Sequence, residues 1–249
     1  MNTILLLLEI VLCFGFVLFL NRWAGKSGLI VWVAVATVLA NIMTAKTVSI
    51  CGLDVTLGTV LFASTFLCTD IITELYGARE AKKAVLLGLS SAASFIVASQ
   101  ICLAYTPSAI DYADGSMREL FALNLRISCA SILMYFIANY CDVLIYDRLK
   151  KNMGDRRIWF RNNVATILCN GLENFGFIGL AFAGLYGVKD ILIIAGTTTL
   201  LEIVVAICDT PFLYIAIKEK RRTDGKGENE YTRAGTEDSG AGSRAGCLE

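Results

Sequence analysis

Seven apolar stretches of 18–27 residues recur along this 249-residue chain, at 3–20, 28–45, 57–76, 84–105, 121–145, 163–186 and 191–217. Each is close to the ~20 residues that cross a bilayer as helix. Counting Gly in place of Tyr turns the 56% apolar share into about 61%, against roughly 45–50% for soluble domains. Charged residues, 18% of the chain, cluster between the runs. The spacing therefore predicts an all-α integral membrane protein, because an open helix satisfies its own backbone polar groups in lipid.

Composition excludes several functions. A formal net charge of zero argues against direct nucleic-acid binding, which needs a basic excess. With no His in the chain, imidazole acid–base chemistry, a Ser/His triad and the common His-containing zinc sites are ruled out. The nine Cys contain no C-x-x-C pair, and six lie well inside apolar runs, where Cys packs as a small hydrophobe. No cofactor, metal site or enzymatic activity is expected.

The first run resembles a signal peptide in length but has no basic n-region and carries Glu9, so it reads as a retained helix. After the second run, Thr47–Gly58 mixes Gly, Asp54 and β-branched residues, which suits a re-entrant or irregular segment. Positively charged loops stay on the cytoplasmic side. Loops 21–27, 77–83 and 146–162 hold two, three and six Lys/Arg, whereas the intervening loops hold one each, Lys46, Arg118 and Lys189. Seven spans then run from an outside N-terminus to an inside C-terminus. The expected divisions are an extra N-terminal helix and loop (1–27), a six-helix unit (28–222) and a polar, Gly/Ser-rich, disordered cytoplasmic tail (223–249).

Charges within the runs carry the functional signal, since each costs at least about 2.5–3.5 kcal/mol at bilayer depth unless it finds a partner or a wet cavity. Asp70 and Glu74 stand four apart on one helix face, either in a site or reaching the interface to pair with Arg79, Lys82 or Lys83. Asp142 and Asp147 read as interfacial. Arg126, roughly 8 Å inside its helix, either snorkels outward or pairs with a buried carboxylate. Glu173 is about 16 Å deep, beyond reach of either interface. Asn170, Glu173, Asn174 and Phe177 share one stripe by i, i+3, i+4, i+7 spacing, with Glu202 at similar depth on the next helix. Such a stripe serves either a polar ligand or interhelical hydrogen bonding. Pro211 is expected to kink the last helix. The small-residue run Ser90–Ser94 and the glycines of the sixth run read as packing surfaces.

The order of these motifs resembles the queuosine-precursor transporter family, also called vitamin-uptake-transporter-like. The matching residues are Ala40-Asn41-Ile42, Lys46, Gly52 to Gly58, the block Thr69-Asp70-Ile71-Ile72-Thr73-Glu74-Leu75-Tyr76-Gly77, and Ala81-Lys82-Lys83-Ala84. Beyond these come Arg126 with Ser131, Asp142, and Trp159-Phe160-Arg161-Asn162-Asn163 leading to Thr166. Together they cover about residues 29–215.

The resemblance implies a six-helix bundle like the substrate-binding subunits of energy-coupling-factor transporters, here with one extra N-terminal helix, in a prokaryotic cell membrane. It also implies import of 7-deazaguanine bases, the 7-cyano or 7-aminomethyl precursors of queuosine or queuine itself, for tRNA modification. The chain departs from the family pattern at Asn170, Glu173 and Asn174, where Gln, then Asp, then Ser or Thr are expected. A carboxylate accepts two adjacent N–H donors at once, so Glu173 is the expected reader of the base. Asn170 and Asn174 are expected at its 6-oxo group and Phe177 or another aromatic at its face, with Asp70, Glu74, Arg126 and Asn41 completing the candidate set. Asp70 and Glu74 would gate the inner mouth or favour a cationic aminomethyl group. An ATP-driven importer remains the alternative, with an ATPase module docking on the Ala36–Ala40 face.

Overall fold

The computed structural model describes the chain except residues 45, 51–52, 122–124, 154–157, 185–186 and 242–249, and except the side chains of 47, 49, 53–56, 125–129, 182, 201 and 220–241. In order the elements are α1 (Asn2–Met43), β1 (Thr47–Ile50), β2 (Leu53–Thr56), α2 (Thr59–Tyr76), α3 (Ala78–Ala104), α4 (Asp114–Phe121), α5 (Leu125–Met153), α6 (Ile158–Phe182) and α7 (Val188–Ala241).

Helix α1 holds the first two apolar runs and breaks between them at Gly25, whose φ of 56° and ψ of −136° lie outside the helical region. Glycine adopts this backbone with no Cβ penalty. The break folds α1 back on itself. Phe16 and Trp32 would lie about 24 Å apart along a straight helix, yet their ring centroids are 5.0 Å apart. Two antiparallel arms result, as two separate runs require. The first arm is part of the body, because Ile10, Phe14 and Val17 are buried in the main core and Phe14 meets Phe212 of α7 edge-on at 5.3 Å.

Among the described residues, five helices are long and apolar enough to cross a membrane: α1, α2, α3, α6 and the 188–219 part of α7. The 29-residue α5 also has the length to cross, and the side chains of its first five residues lie outside the described ones. Large apolar side chains of α1, α3 and α7 such as Leu5, Leu12, Val97, Ile101 and Leu200 are exposed, as lipid-facing residues are. Helix α2 is the opposite. It is buried from Thr59 through Thr73 except for the half-buried Phe62, and it packs against α1, α3, α5 and α7, which makes it the central helix of the bundle.

The segment expected to be re-entrant or irregular is a short antiparallel hairpin, with Thr47 opposite Thr56 and Ile50 opposite Leu53, a small departure from an all-helical chain. Val48, Ile50 and Val55 favour strand, and Gly52 disfavours a continuing helix. Helix α7 continues through Pro211 and onward to Ala241, so the boundary of a tail at 223 rests on composition. In the Ser90–Ser94 run only Ala92 is buried, so the run is not the packing surface expected of it. Gly88 is the small residue that brings α3 close, with Val33, Thr37 and Tyr135 at 3.1–3.3 Å from where its Cβ would stand.

Candidate functional site

The polar residues inside the bundle fall into layers, counted toward the end that carries the basic turns. Phe66 of α2, Ala138 of α5 and Cys169 of α6 form one buried apolar layer. One helical turn further on, α2 brings Asp70 and α5 brings Asp142, both fully buried. A second turn brings Glu74 and Tyr146 from the same helices, where they meet Arg161 from the start of α6.

Glu74 is the hub of this last layer. Arg161 donates to its Oε2 at 2.6 Å, Tyr146 donates through its hydroxyl at 3.3 Å, and the Lys150 ammonium stands 3.5 Å away. The Arg161 guanidinium also lies 5.4 Å from the centre of the Tyr146 ring, a cation–π contact. Lys150 donates to the carbonyls of Glu74 at 2.6 Å and Thr73 at 3.4 Å. It thereby places a cation on the orphan carbonyls at the C-terminus of α2, where the helix dipole favours one. The neighbouring Asn162 donates to Asp209 at 2.7 Å and Asn163 to Thr210 at 2.9 Å, tying α6 to α7.

This network corrects three expectations. The pairing of Asp70 and Glu74 with Arg79, Lys82 or Lys83 does not occur. Glu74 takes Arg161 and Lys150, whereas Lys83 goes to Glu80 and Lys82 lies over the Tyr140 ring. Asp142 is fully buried, not interfacial, because it sits on the inward stripe of α5 with Asn139 and Tyr146. Arg161, counted as a loop charge, is a fully buried helix residue. Sequence distance hid these pairings. Glu74 and Arg161 are 87 residues apart, and the only signal was that two motifs each carried one unmatched charge.

On the other side of the Phe66 layer is a cleft lined by Thr59, Phe62, Ala63, Phe66, Asn170, Glu173 and Glu202. Its cavity of about 10 Å3 holds about one water. A two-ring base therefore enters only when α2, α6 and α7 part. Asn170 is buried with an Oδ1 that no described residue satisfies, and Glu173 is half-buried beside Glu202. Both face the cleft as acceptors.

The candidate residues thus divide. Asn170 and Glu173 line the cleft. Asn174 does not, because its Nδ2 is committed to Glu202 Oε2 at 2.6 Å. Phe177 is half-buried and not in the lining, whose aromatic faces come from Phe62 and Phe66 instead. Asn41 donates to the Thr37 carbonyl of its own helix at 2.8 Å. Asp70 and Glu74 lie in the network, with Asp70 about 12 Å along α2 from Phe62. The Arg126 side chain is outside the described residues. Sequence reading missed Phe62, Phe66 and Thr59, which carry no charge to betray them.

A family described as "Putative vitamin uptake transporter" matches residues 56–216. A Bacillus subtilis (strain 168) protein named "Probable queuosine precursor transporter" is 34% identical over 206 residues, 82% of this chain and 90% of that protein. The Escherichia coli (strain K12) "Queuosine precursor transporter" is 26% identical over 148 residues, 57% of this chain and 62% of that protein. No solved structure matches.

Proposed function

Because this chain belongs to the vitamin uptake transporter family, we propose that it imports a 7-deazaguanine precursor of queuosine, the 7-cyano or 7-aminomethyl base or queuine, across the prokaryotic cell membrane. The observation that carries this reading is the cleft. The Glu173 carboxyl and Asn170 Oδ1, the latter with no donor from a described residue, line it together with the aromatic side chains of Phe62 and Phe66. A flat base with adjacent ring N–H and 2-amino donors meets both demands, as it donates to acceptors and stacks on aromatic faces.

In this reading Glu173 accepts the paired donors, Asn170 reads the polar edge, and Glu202 with Asn174 fixes the opposite wall. The Glu74–Arg161–Lys150 cluster closes the cytoplasmic mouth. Seven crossings, N-terminus outside and C-terminus inside, with the six-helix unit 28–222 as the transport body, complete the proposal. Cells unable to make the precursor, supplied with each base at low concentration, provide the test. Queuosine should appear in their tRNA only when this protein is present, and its absence with every base would refute the import.

The second reading is the substrate-binding subunit of an ATP-driven importer. Its support was the Ala36–Ala40 face, but both alanines are fully buried against Leu61, and Gly58 packs on the Ala40 carbonyl. That face is occupied within the bundle. Co-purification with ATPase subunits would restore this reading.

A further inference from the structure

Asp70 of α2 and Asp142 of α5 face each other at one level of the bundle, one helical turn from the Phe66–Ala138 contact and one from the Tyr146–Glu74 contact, yet no N–H or O–H group of a described residue donates to any of their four oxygens. Both side chains are fully buried. Two ionised carboxylates have only acceptors to offer each other, so a hydrogen bond between them requires a proton. From this geometry we infer that the Asp70–Asp142 pair is a proton-binding site and that the proton it carries drives import. The coupling half rests on the import reading above; the proton site itself does not.

The surroundings favour a proton as the occupant. From α2 come Cys68 and Glu74, from α5 Tyr146, from α6 Arg161 and Cys169, and from α7 Asp209. Lys82 of α3 lies over the Tyr140 ring, Lys83 pairs with Glu80, and Lys26 of α1 pairs with Glu80 as well. Arg161 and Lys150 are taken by Glu74. Asp209 is held by Asn162. Among the described residues no three Cys, Asp or Glu side chains converge as metal ligands do.

The position supplies a mechanism. Glu74 follows Asp70 by four residues on α2 and Tyr146 follows Asp142 by four on α5, so the pair sits one helical turn from the Arg161–Glu74 latch. With the proton bound, the pair is a single negative charge and Arg161 stays on Glu74. Once the proton leaves, two anions face each other in the low-dielectric interior and compete with Glu74 for Arg161. The latch then changes partner and the basic end opens. A proton taken up from outside and released to the cytoplasm closes the cycle, with no other group consumed.

Two measurements test this. Infrared difference spectra of the purified protein in lipid, titrated with pH, should show a carboxylic-acid C=O band of the pair, beside those of Glu173, Glu202 and Asp209, that disappears on deprotonation. That band should be lost in Asp142→Asn and in Asp70→Asn, and kept in Asp142→Glu. No such band in the natural sequence, or a set of C=O bands left unchanged by both Asn variants, overturns the site. In proteoliposomes an inward proton gradient should accumulate 7-cyano-7-deazaguanine at least several-fold above equilibrium, and Asp142→Asn should abolish the accumulation. Equilibration that ignores the proton gradient, or follows a sodium gradient instead, overturns the coupling and leaves the import reading intact. If no deazaguanine moves at all, import and its coupling fall together, while the infrared band still decides the proton site.

Discussion

Arg161 and Glu74 show what a single buried charge demands of its neighbours. Arg161 is fully buried and holds Glu74 at 2.6 Å, so Arg161→Met leaves a carboxylate in the interior with the Lys150 ammonium at 3.5 Å and the Tyr146 hydroxyl at 3.3 Å to offset it. Removing one partner of a buried pair costs about 3–5 kcal/mol, and Lys150 puts the expected loss at the lower end. Thermal unfolding in detergent should show it, and the double variant Arg161→Met/Glu74→Gln should regain much of it. An unchanged melting temperature in the single variant would remove the latch from the account of stability. Glu173 makes a different demand. Glu173→Gln replaces one acceptor by a donor facing a donor, which should cost about 1–3 kcal/mol, or roughly five- to 150-fold in affinity for the base. Uptake compared with membrane protein level reads this, and unchanged uptake would return Glu173 to a packing role. Glu173 was legible in the sequence because its depth left it no interface. Asp142 was not, because its distance from the end of its run suited an interface and only the rotation of α5 buries it.

At the scale of the elements, glycine and the ion pairs of Glu80 decide how the helices meet. A Cβ at Gly58 would stand 2.8 Å from the Ala40 carbonyl oxygen and would clash with the Thr44 hydroxyl. Gly58→Ala therefore forces the start of α2 away from α1, an overpacking cost of about 1–3 kcal/mol, which a lowered melting temperature would report. The arms of α1 and the start of α3 also meet through Glu80, which accepts from Lys83 at 2.7 Å and Lys26 at 2.9 Å. Hydrogen bonds from Lys83 and then Lys26 pull its carboxyl down to about 2. A carboxyl lowered on folding contributes stability that is present above its unfolded value, about 4.3, and disappears as pH falls through 2. Carbon-13 NMR of labelled Glu80 should show it ionised at pH 3.5, and Lys83→Met together with Lys26→Met should return its titration to the ordinary range. The two arms of α1 were legible as two runs because each is bilayer-length. The hairpin at 47–56 was visible only as a place where helix fails, since its pairing joins residues that no helical period relates.

For the whole molecule, the Lys/Arg asymmetry predicts that a reporter fused at the C-terminus is active only when it works in the cytoplasm; activity confined to the outer side would invert the topology. Residues after 222 offer no apolar face, so deleting 223–249 should leave uptake at normal expression intact, and lost uptake would make the tail functional. The sequence by itself determined the class: bilayer-length apolar runs need lipid, and lipid needs helices with every backbone group paired. It also determined which residues were out of place, because a charge in an apolar run is expensive wherever the run lies. Only the tertiary structure decided which charge answers which. Helical periodicity relates residues three and four apart, whereas Arg161 and Glu74, Asn162 and Asp209, and Asp70 and Asp142 meet through the rotation and packing of different helices. That packing separates the acceptor-lined cleft of Asn170 and Glu173 from the carboxyls of Asp70 and Asp142 by a single apolar layer at Phe66, a division that no spacing along the chain contains.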